Sequence, residues 1–527
     1  MNKATDASVR DGLAEARVAW PVLLMSLGAG LVWFANTAIG IALPSIAADF
    51  GVGLAQAQWT VTTFTVTMAS LLIVGGRLGD THGYRKVFLI GIAIFATGAL
   101  VSGIAPSFWF LVIGQVVMGV GGALMLPSTL SIIYASVGFH QRGIAIGVWA
   151  AFVNFGFAMG PVIGGTLTSA LGWRWIYLLT VPVLVLMAVL TVLKIRESRG
   201  IKIPLDYIGV ALLGLCLVAM VISLSLSSTL GWAQPQIVIP LSVSILLLAG
   251  FVFWERRCRA PLVRLEVFRD FRFSTSITLN WLSNAGIVAF SIFTPLYLTL
   301  GLGYPTNQVA LMFIPNSIVM TVSPLVAGRL LGRIGVRWPL FTGLLTMGIG
   351  VLLLGLAGSH ANYWTELFPA FVLIGFGNAF VLTSVSVGAL NAVETQDTGM
   401  AAGILKTSSM IGSTFGTAAV GSLFFALFRP ILDSDLDAAH VPLHPDQLQH
   451  VRGLAATGIL KMEDLAGFPG AVANMIMNAV RLAFCSAFSL VSIIIAGLFA
   501  MGIVMGLAAF RPTSGRGRGH RLGSSHS

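Results

Sequence analysis

Charge is what this sequence has least of. Only 9% of its 527 residues are Asp, Glu, Lys or Arg, whereas a water-soluble protein carries about a quarter. A chain with so little polar surface cannot dissolve, which excludes an ordinary soluble enzyme, a disordered segment and a fibrous protein. Cysteine is also scarce. Cys216, Cys258 and Cys485 are scattered and match no metal or redox spacing, so no disulfide framework is expected. No GxxxxGK[ST] phosphate loop occurs, so ATP-driven transport is not expected. His, Cys, Asp and Glu converge at no single depth, so the sequence points to no catalytic activity, metal or cofactor. A transport-derived sensor would need a long soluble extension, and the tails are short.

What is present is apolar: 56% hydrophobic residues, 10% aromatics and 60 glycines, a mixture suited to closely packed membrane helices. Runs of roughly 20 apolar residues mark membrane spans. They fall at 18–43, 57–76, 87–107, 110–134, 144–169, 176–195, 207–227, 236–254, 275–299, 308–331, 338–358, 367–391, 401–427 and 482–510, fourteen in all. The first run is too long for a signal-peptide core and no convincing cleavage site follows it, so it is expected to stay.

The net charge of +11 is a matter of position. Lys and Arg crowd one set of alternate connections, among them Arg77, Arg85, Lys86, Arg142, Arg264 and Arg333, and both tails. The opposite set holds few, such as Arg174 and Arg481. This asymmetry predicts a multi-pass protein of a bacterial-type inner membrane with both termini cytoplasmic. It makes lipid the partner of the basic residues and leaves nucleic acid without a role. The insert at about 428–480 falls on the outer face. Its Asp433, Asp435, Asp437, Asp446, Glu463 and Asp464 read as a solvated loop, because no glycine turn or closing Glu follows as a calcium loop requires.

An internal repeat is visible. Gly76, Arg77, Leu78, Gly83 and Arg85 recur as Gly328, Arg329, Leu330, Gly335 and Arg337, 252 residues later. Gly119, Gly121, Gly143, Gly147, Gly156 and Gly160 recur as Gly375, Gly377, Gly399, Gly403, Gly412 and Gly416, 256 residues later. Trp33 and Asn36 are echoed by Trp281 and Asn284. The offset spans eight helices, an even number, so the two halves share one orientation, the arrangement of rocker-type transporters with a site between halves. The expected architecture is all-α and polytopic. It comprises an N-terminal tail (1–17), a six-helix bundle (18–195), an inserted helix pair with its flanking loops (196–274), a second six-helix bundle (275–510) and a basic tail (511–527).

Two motifs carry a family likeness. Gly76-x-Leu78-x-Asp80-x-x-Gly83-x-Arg85-Lys86 lies between the second and third spans. Its glycines permit a tight turn, and Asp80 can accept from helix N-termini. Gly156-x-x-x-Gly160-Pro161-x-x-Gly164-Gly165 lies in the fifth span. There, glycines four apart make a flat face for another helix and the proline bends the chain. With Trp173-Arg174-Trp175 following, the chain resembles the major facilitator superfamily, specifically its fourteen-helix drug–proton antiporters, over nearly its whole length. The resemblance implies a cytoplasmic gate at the first motif, an exporter signature at the second, a small-molecule substrate, protons as coupling ion and a monomer.

The family's first helix usually carries an aspartate where this chain has Ala35, and its fourth an arginine where this chain has Gln115. No Asp, Glu or His falls near a span centre, so proton coupling comes from the resemblance and not from the residues. Inside the membrane the polar candidates for a substrate cavity are Asn36, Gln115, Asn154, Asn284, Asn316 and Asn378, with Trp33, Trp149 and Trp281 as walls. Amides equally well hold helices together. Lys406, about seven residues into the thirteenth span, is either a cation that snorkels back to the interface or a cavity cation, as counter-ion or titrating amine. The expected activity is export of amphipathic or aromatic organic compounds by alternating access. The alternative is passage of anionic or lipid-like solutes using Lys406.

Overall fold

In hydrocarbon a backbone amide has no water to bond, so each apolar run must satisfy its own N–H and C=O groups as a helix. The computed structural model describes residues 3–197, 206–230, 232, 234–438 and 468–511. Among them are fourteen helices long and apolar enough to cross a membrane, and no strand. The first bundle holds α1 (Lys3–Phe50), α2 (Trp59–His82), α3 (Tyr84–Gly103), α4 (Phe108–Ser136), α5 (Arg142–Leu171) and α6 (Arg174–Lys194). Then come α7 (Tyr207–Leu230) and α8 (Pro235–Glu255). The second bundle holds α9 (Phe271–Leu296), α10 (Ile314–Ile334), α11 (Arg337–Leu356), α12 (Phe368–Asn391), α13 (Thr398–Ala438) and α14 (Gly470–Ala509).

The packing is duplicated as the sequence is. In the first half α1 packs on α5 and α4, α2 on α4, and α3 on α4 and α6; in the second α9 packs on α13 and α12, α10 on α12, and α11 on α12 and α14. The tight turns recur too. Gly83 ends α2 at φ +95° and Gly335 ends α10 at φ +74°, a left-handed conformation in which a side chain would be strained.

Three boundaries depart from the hydropathy edges, for one reason: apolarity marks the end of the membrane, not of the helix. α1 begins at Lys3, so residues from 3 to 17 continue the first helix. α13 runs on to Ala438, so Asp433, Asp435 and Asp437 lie in a helix and not a loop. α14 starts at Gly470, directly after Pro469. Asp446, Glu463 and Asp464 lie outside the described residues, as do Arg199, Lys202 and 512–527 of the basic tail. A further shift is at α10, which begins at Ile314 because Thr306–Met312 forms a separate short helix and Pro315 opens the new one.

The glycines of α5 show why the bundle is so tight. A Cβ placed on Gly156 would lie 2.0 Å from the carbonyl oxygen of Gly30, and one on Gly164 would lie 2.8 Å from that of Ala38. On Gly160 it would meet Thr37 Oγ1 and, at 3.0 Å, the amide nitrogen of Ala38. All three press on α1. Gly165 faces α1 only through the Ile41 side chain at 3.4 Å, an ordinary contact distance, so a Cβ there would fit. The helix continues unbroken through Pro161. Gly412 and Gly416 repeat the arrangement against Trp281 and Ala285 of α9.

Overpacking of this kind costs about 1–3 kcal/mol, and backbone carbonyls cannot rotate aside. Gly156→Ala is therefore expected to lower the midpoint of thermal unfolding of the purified protein by several degrees, whereas Gly165→Ala leaves it within a degree or two. Differential scanning fluorimetry of both variants in one detergent checks this.

Candidate functional site

The two bundles meet along two seams, α2 against α13 and α5 against α10. Both lie toward the face that carries the α2–α3 and α10–α11 turns, called here the basic face. A Cβ on Gly76 would lie 2.0 Å from the Gly399 carbonyl oxygen, and one on Gly143 would lie 2.6 Å from that of Gly328. One turn deeper, Gly403 meets the Leu72 carbonyl and Gly147 that of Pro324. Each residue of the first seam has its repeat partner in the second, so the closed face has a two-fold pattern made from backbone.

Side chains then distinguish the seams. Asp80 is buried at the first. Its Oδ1 accepts from the Gly399 amide (2.8 Å) and its Oδ2 from the Met400 amide (2.9 Å), both in the first turn of α13. Tyr84 donates to the same carboxylate at 2.5 Å and lies 2.9 Å from Thr398 Oγ1. A carboxylate at a helix N-terminus satisfies amides that have no partner within the helix and meets the positive end of the dipole. The repeat places Gly332 where Asp80 stands, so the second seam has no such cap.

Arg77, a neighbour of Asp80, is almost fully buried. It pairs with Asp397 at 3.4 Å and donates to the carbonyl of Pro261 at 3.1 Å. Arg264 pairs with the other oxygen of Asp397 at 2.9 Å. Pro261 and Arg264 belong to the segment leading from α8 to α9, and α7 itself packs on both α2 and α13. Among the described residues the inserted pair thus covers one seam only. Arg329, the repeat partner of Arg77, is exposed. At the second seam Arg142 donates to the Tyr134 hydroxyl (2.6 Å), which donates in turn to Asn391 Oδ1 across the bundles (3.1 Å).

Arg85 donates to the Val192 carbonyl at 2.8 Å and Lys86 is exposed. The expected cavity residues divide into two groups. Gln115 is not in the space between bundles. It is 2% exposed and its amide donates to Ser102 (3.1 Å) and Tyr177 (2.9 Å), inside the packing of α3, α4 and α6. Asn316 and Asn378 bond to Phe371 and Ser283 within the second bundle. Asn154 is buried and crosses the second seam to the Met320 carbonyl at 2.7 Å. These amides join helices. Trp33, Asn36, Trp281 and Asn284 remain partly exposed. Trp33 packs edge-on against Phe157, and Trp281 packs tilted against Phe415, so each bundle sets an aromatic pair here. Asn284 donates back to Asn280, which ties α9 to α13 at Leu405, Ser408 and Ser409.

Lys406 does not reach back to the interface. It is 3% exposed, and its Nζ lies 4.2 Å from the ring centroid of Trp149, itself wholly buried, on the other bundle. A desolvated contact of this kind is worth about 2 kcal/mol. No pairing for Asp397, Arg264, Tyr84 or Asn391 was legible in the sequence, because Asp397, Arg264 and Asn391 meet partners 133 to 320 residues away and Tyr84 joins the neighbouring Asp80 only where both meet α13. The one available signal was Arg77, which the repeat marks.

A family model described as Major Facilitator Superfamily matches residues 25–417. The multidrug resistance protein Stp of Mycobacterium tuberculosis is 30% identical over 79% of this chain and 78% of its own. The multidrug efflux pump LfrA of Mycolicibacterium smegmatis is 29% identical over 96% and 97%. The tetracenomycin C resistance and export protein of Streptomyces glaucescens is 28% identical over 92% and 90%. Among solved structures, the human organic anion transporter MFSD10 (TETRAN) superposes with a TM-score of 0.57 at 14% identity, covering 93% of this chain and 99% of that one, a likeness of fold alone.

Removing one member of a buried ion pair costs about 3–5 kcal/mol, while a part-exposed pair is worth about 0.2–1 kcal/mol. Asp397→Asn, which deprives the buried Arg77 of its paired carboxylate, should therefore destabilise the protein several times more than Arg264→Gln. Thermal unfolding of the two variants measures the ratio. Equal losses would mean that the buried pair contributes no more than the exposed one.

Proposed function

The chain belongs to the major facilitator superfamily, and we propose that it carries small amphipathic or aromatic organic compounds outward by rocking its two bundles about the space between them. It is a multi-pass membrane transporter of the multidrug-efflux type, as relatives named for multidrug and antibiotic export across most of its length indicate. The observation that carries the rocking mechanism is the pair of glycine seams. Bundles sealed by glycine backbone can part by breaking a few polar side-chain contacts, without pulling apart large interlocked apolar side chains.

The basic face is assigned to the cytoplasm from its Lys and Arg, which puts both termini there. The structure is then closed to the cytoplasm. Among the described residues the hydrogen bonds between the bundles lie between that face and mid-depth, and beyond it α1 and α9 pack within their own bundles. Trp33, Asn36, Trp281 and Asn284 are the walls of the space left between them. Asp80 and Arg77 act as the gate, because they hold the N-terminus of α13 to α2 only while the face is shut. Arg85 and Lys86 serve the same motif at the leaflet surface. Gly156, Gly160 and Gly164 set the distance of α5 from α1, so that each bundle moves as a body. Among the described residues, the acids within the spans stand near span ends, as Asp49, Asp80, Glu255 and Asp397 do, so no mid-membrane carboxylate is assigned the transport of a proton.

The test is Asp80→Asn. Loss of its charge-assisted bonds to two amides removes about 1–3 kcal/mol from the closed state alone, a shift of roughly 5- to 150-fold toward the face-open state. Expression and unfolding temperature should stay near wild type while export of a fluorescent aromatic dye from cells falls. Wild-type export by a well-folded Asp80→Asn protein would remove Asp80 from the gate.

A further inference from the structure

The closed state leaves Lys406 without an acid. It stands eight residues past Thr398, about 12 Å along α13, just deeper than the level at which Gly403 meets α2. The Trp149 ring beneath its amine is fixed in place, since the indole N–H donates to Thr129 Oγ1 at 3.0 Å. The three ion pairs among the described residues join Arg77, Arg174 and Arg264 to aspartates and none involves Lys406. Thr407, Ser408 and Ser409 beside it are buried, and Thr407 Oγ1 has no hydrogen-bond partner among the described residues. An aromatic face attracts an ammonium through its quadrupole but provides no carboxylate oxygens to receive its three N–H donors.

Trp149 belongs to one bundle and Lys406 to the other. Parting the bundles at the basic face therefore removes the ring and turns the amine toward the side from which a compound for export enters. We propose that Lys406 binds the anionic group of an exported aromatic compound while the basic face is open, and that the Trp149 ring displaces this group when the face closes. The inference rests on the export reading above and adds the charge of the substrate. Its sign suits an exporter. A carboxylate gives the ammonium charge-assisted hydrogen bonds on the loading side. On the releasing side the ring occupies the amine, and the compound is held by its apolar body alone.

The experiment uses the full chain in proteoliposomes and two compounds that differ by one group, 4-methylumbelliferyl glucuronide and 4-methylumbelliferyl glucoside, with ethidium as a third, cationic probe. Wild type should move the glucuronide with a KM lower than that of the glucoside by about tenfold, the value of one directed charge contact. Lys406→Gln should abolish this preference by raising the KM for the glucuronide, and Lys406→Arg should keep it. Trp149→Leu should slow turnover of the glucuronide without raising its KM, while the glucoside is slowed far less. Loss of both sugars alike in Lys406→Gln, or no wild-type preference for the glucuronide, overturns the anion site. Equal slowing of both sugars by Trp149→Leu overturns displacement by the ring. Transport of ethidium alone overturns the inference and leaves the export reading standing, whereas transport of none of the three overturns the export reading itself.

Discussion

Gly76 faces the carbonyl of Gly399, and Gly143 faces that of Gly328, at distances no side chain would permit. This approach sets the spacing on which the closed half of the molecule depends. It brings the first amides of α13 within reach of Asp80, buries Arg77 beside Asp397, and lets the Trp149 ring lie against Lys406. Were either seam wider by the width of a methyl group, these contacts would lengthen together. The polar groups at the basic face thus discriminate between two arrangements of the bundles only because the backbone beneath them allows contact in one of them.

Much of the fold was legible because hydropathy and repetition are both long-range signals. Fourteen apolar runs could hardly be anything else, and glycines recurring at one nearly constant offset implied two halves before any contact was known. The helix ends at Lys3, Ala438 and Gly470 were not legible, since a polar helix leaving the membrane looks in sequence like a loop. Nor was the separation of Thr306–Met312 from α10, which depends on where a proline falls within an otherwise continuous run.

The functional residues were legible in proportion to how local their chemistry is. Asp80 stood in a glycine-framed turn, and its partners proved to be the helix N-terminus that such a carboxylate seeks. The face of Gly156, Gly160 and Gly164 was plain from spacing, and Gly165 was drawn in by proximity alone. Amides gave the weakest guide. Gln115, Asn154, Asn316 and Asn378 look alike in sequence, yet each is spent on packing, and only burial and partner geometry separate them from Asn36 and Asn284. Lys406 was conspicuous as a lone charge. That its partner is a ring on the opposite bundle could not be seen, because Trp149 and Lys406 are not related by the repeat.

The inserted helices break a symmetry that the rest of the chain keeps. α7 lies along the α2–α13 seam, and the segment after α8 closes over its end, while among the described residues the α5–α10 seam carries no such cover and Arg329 stays exposed. Viewed within the plane of the bilayer, the protein therefore has a front and a back. Among the described residues two extra helices screen one seam from the lipid chains while the other meets them directly, so neighbouring molecules in the membrane meet two different surfaces on a body whose moving parts are nearly the same on both sides.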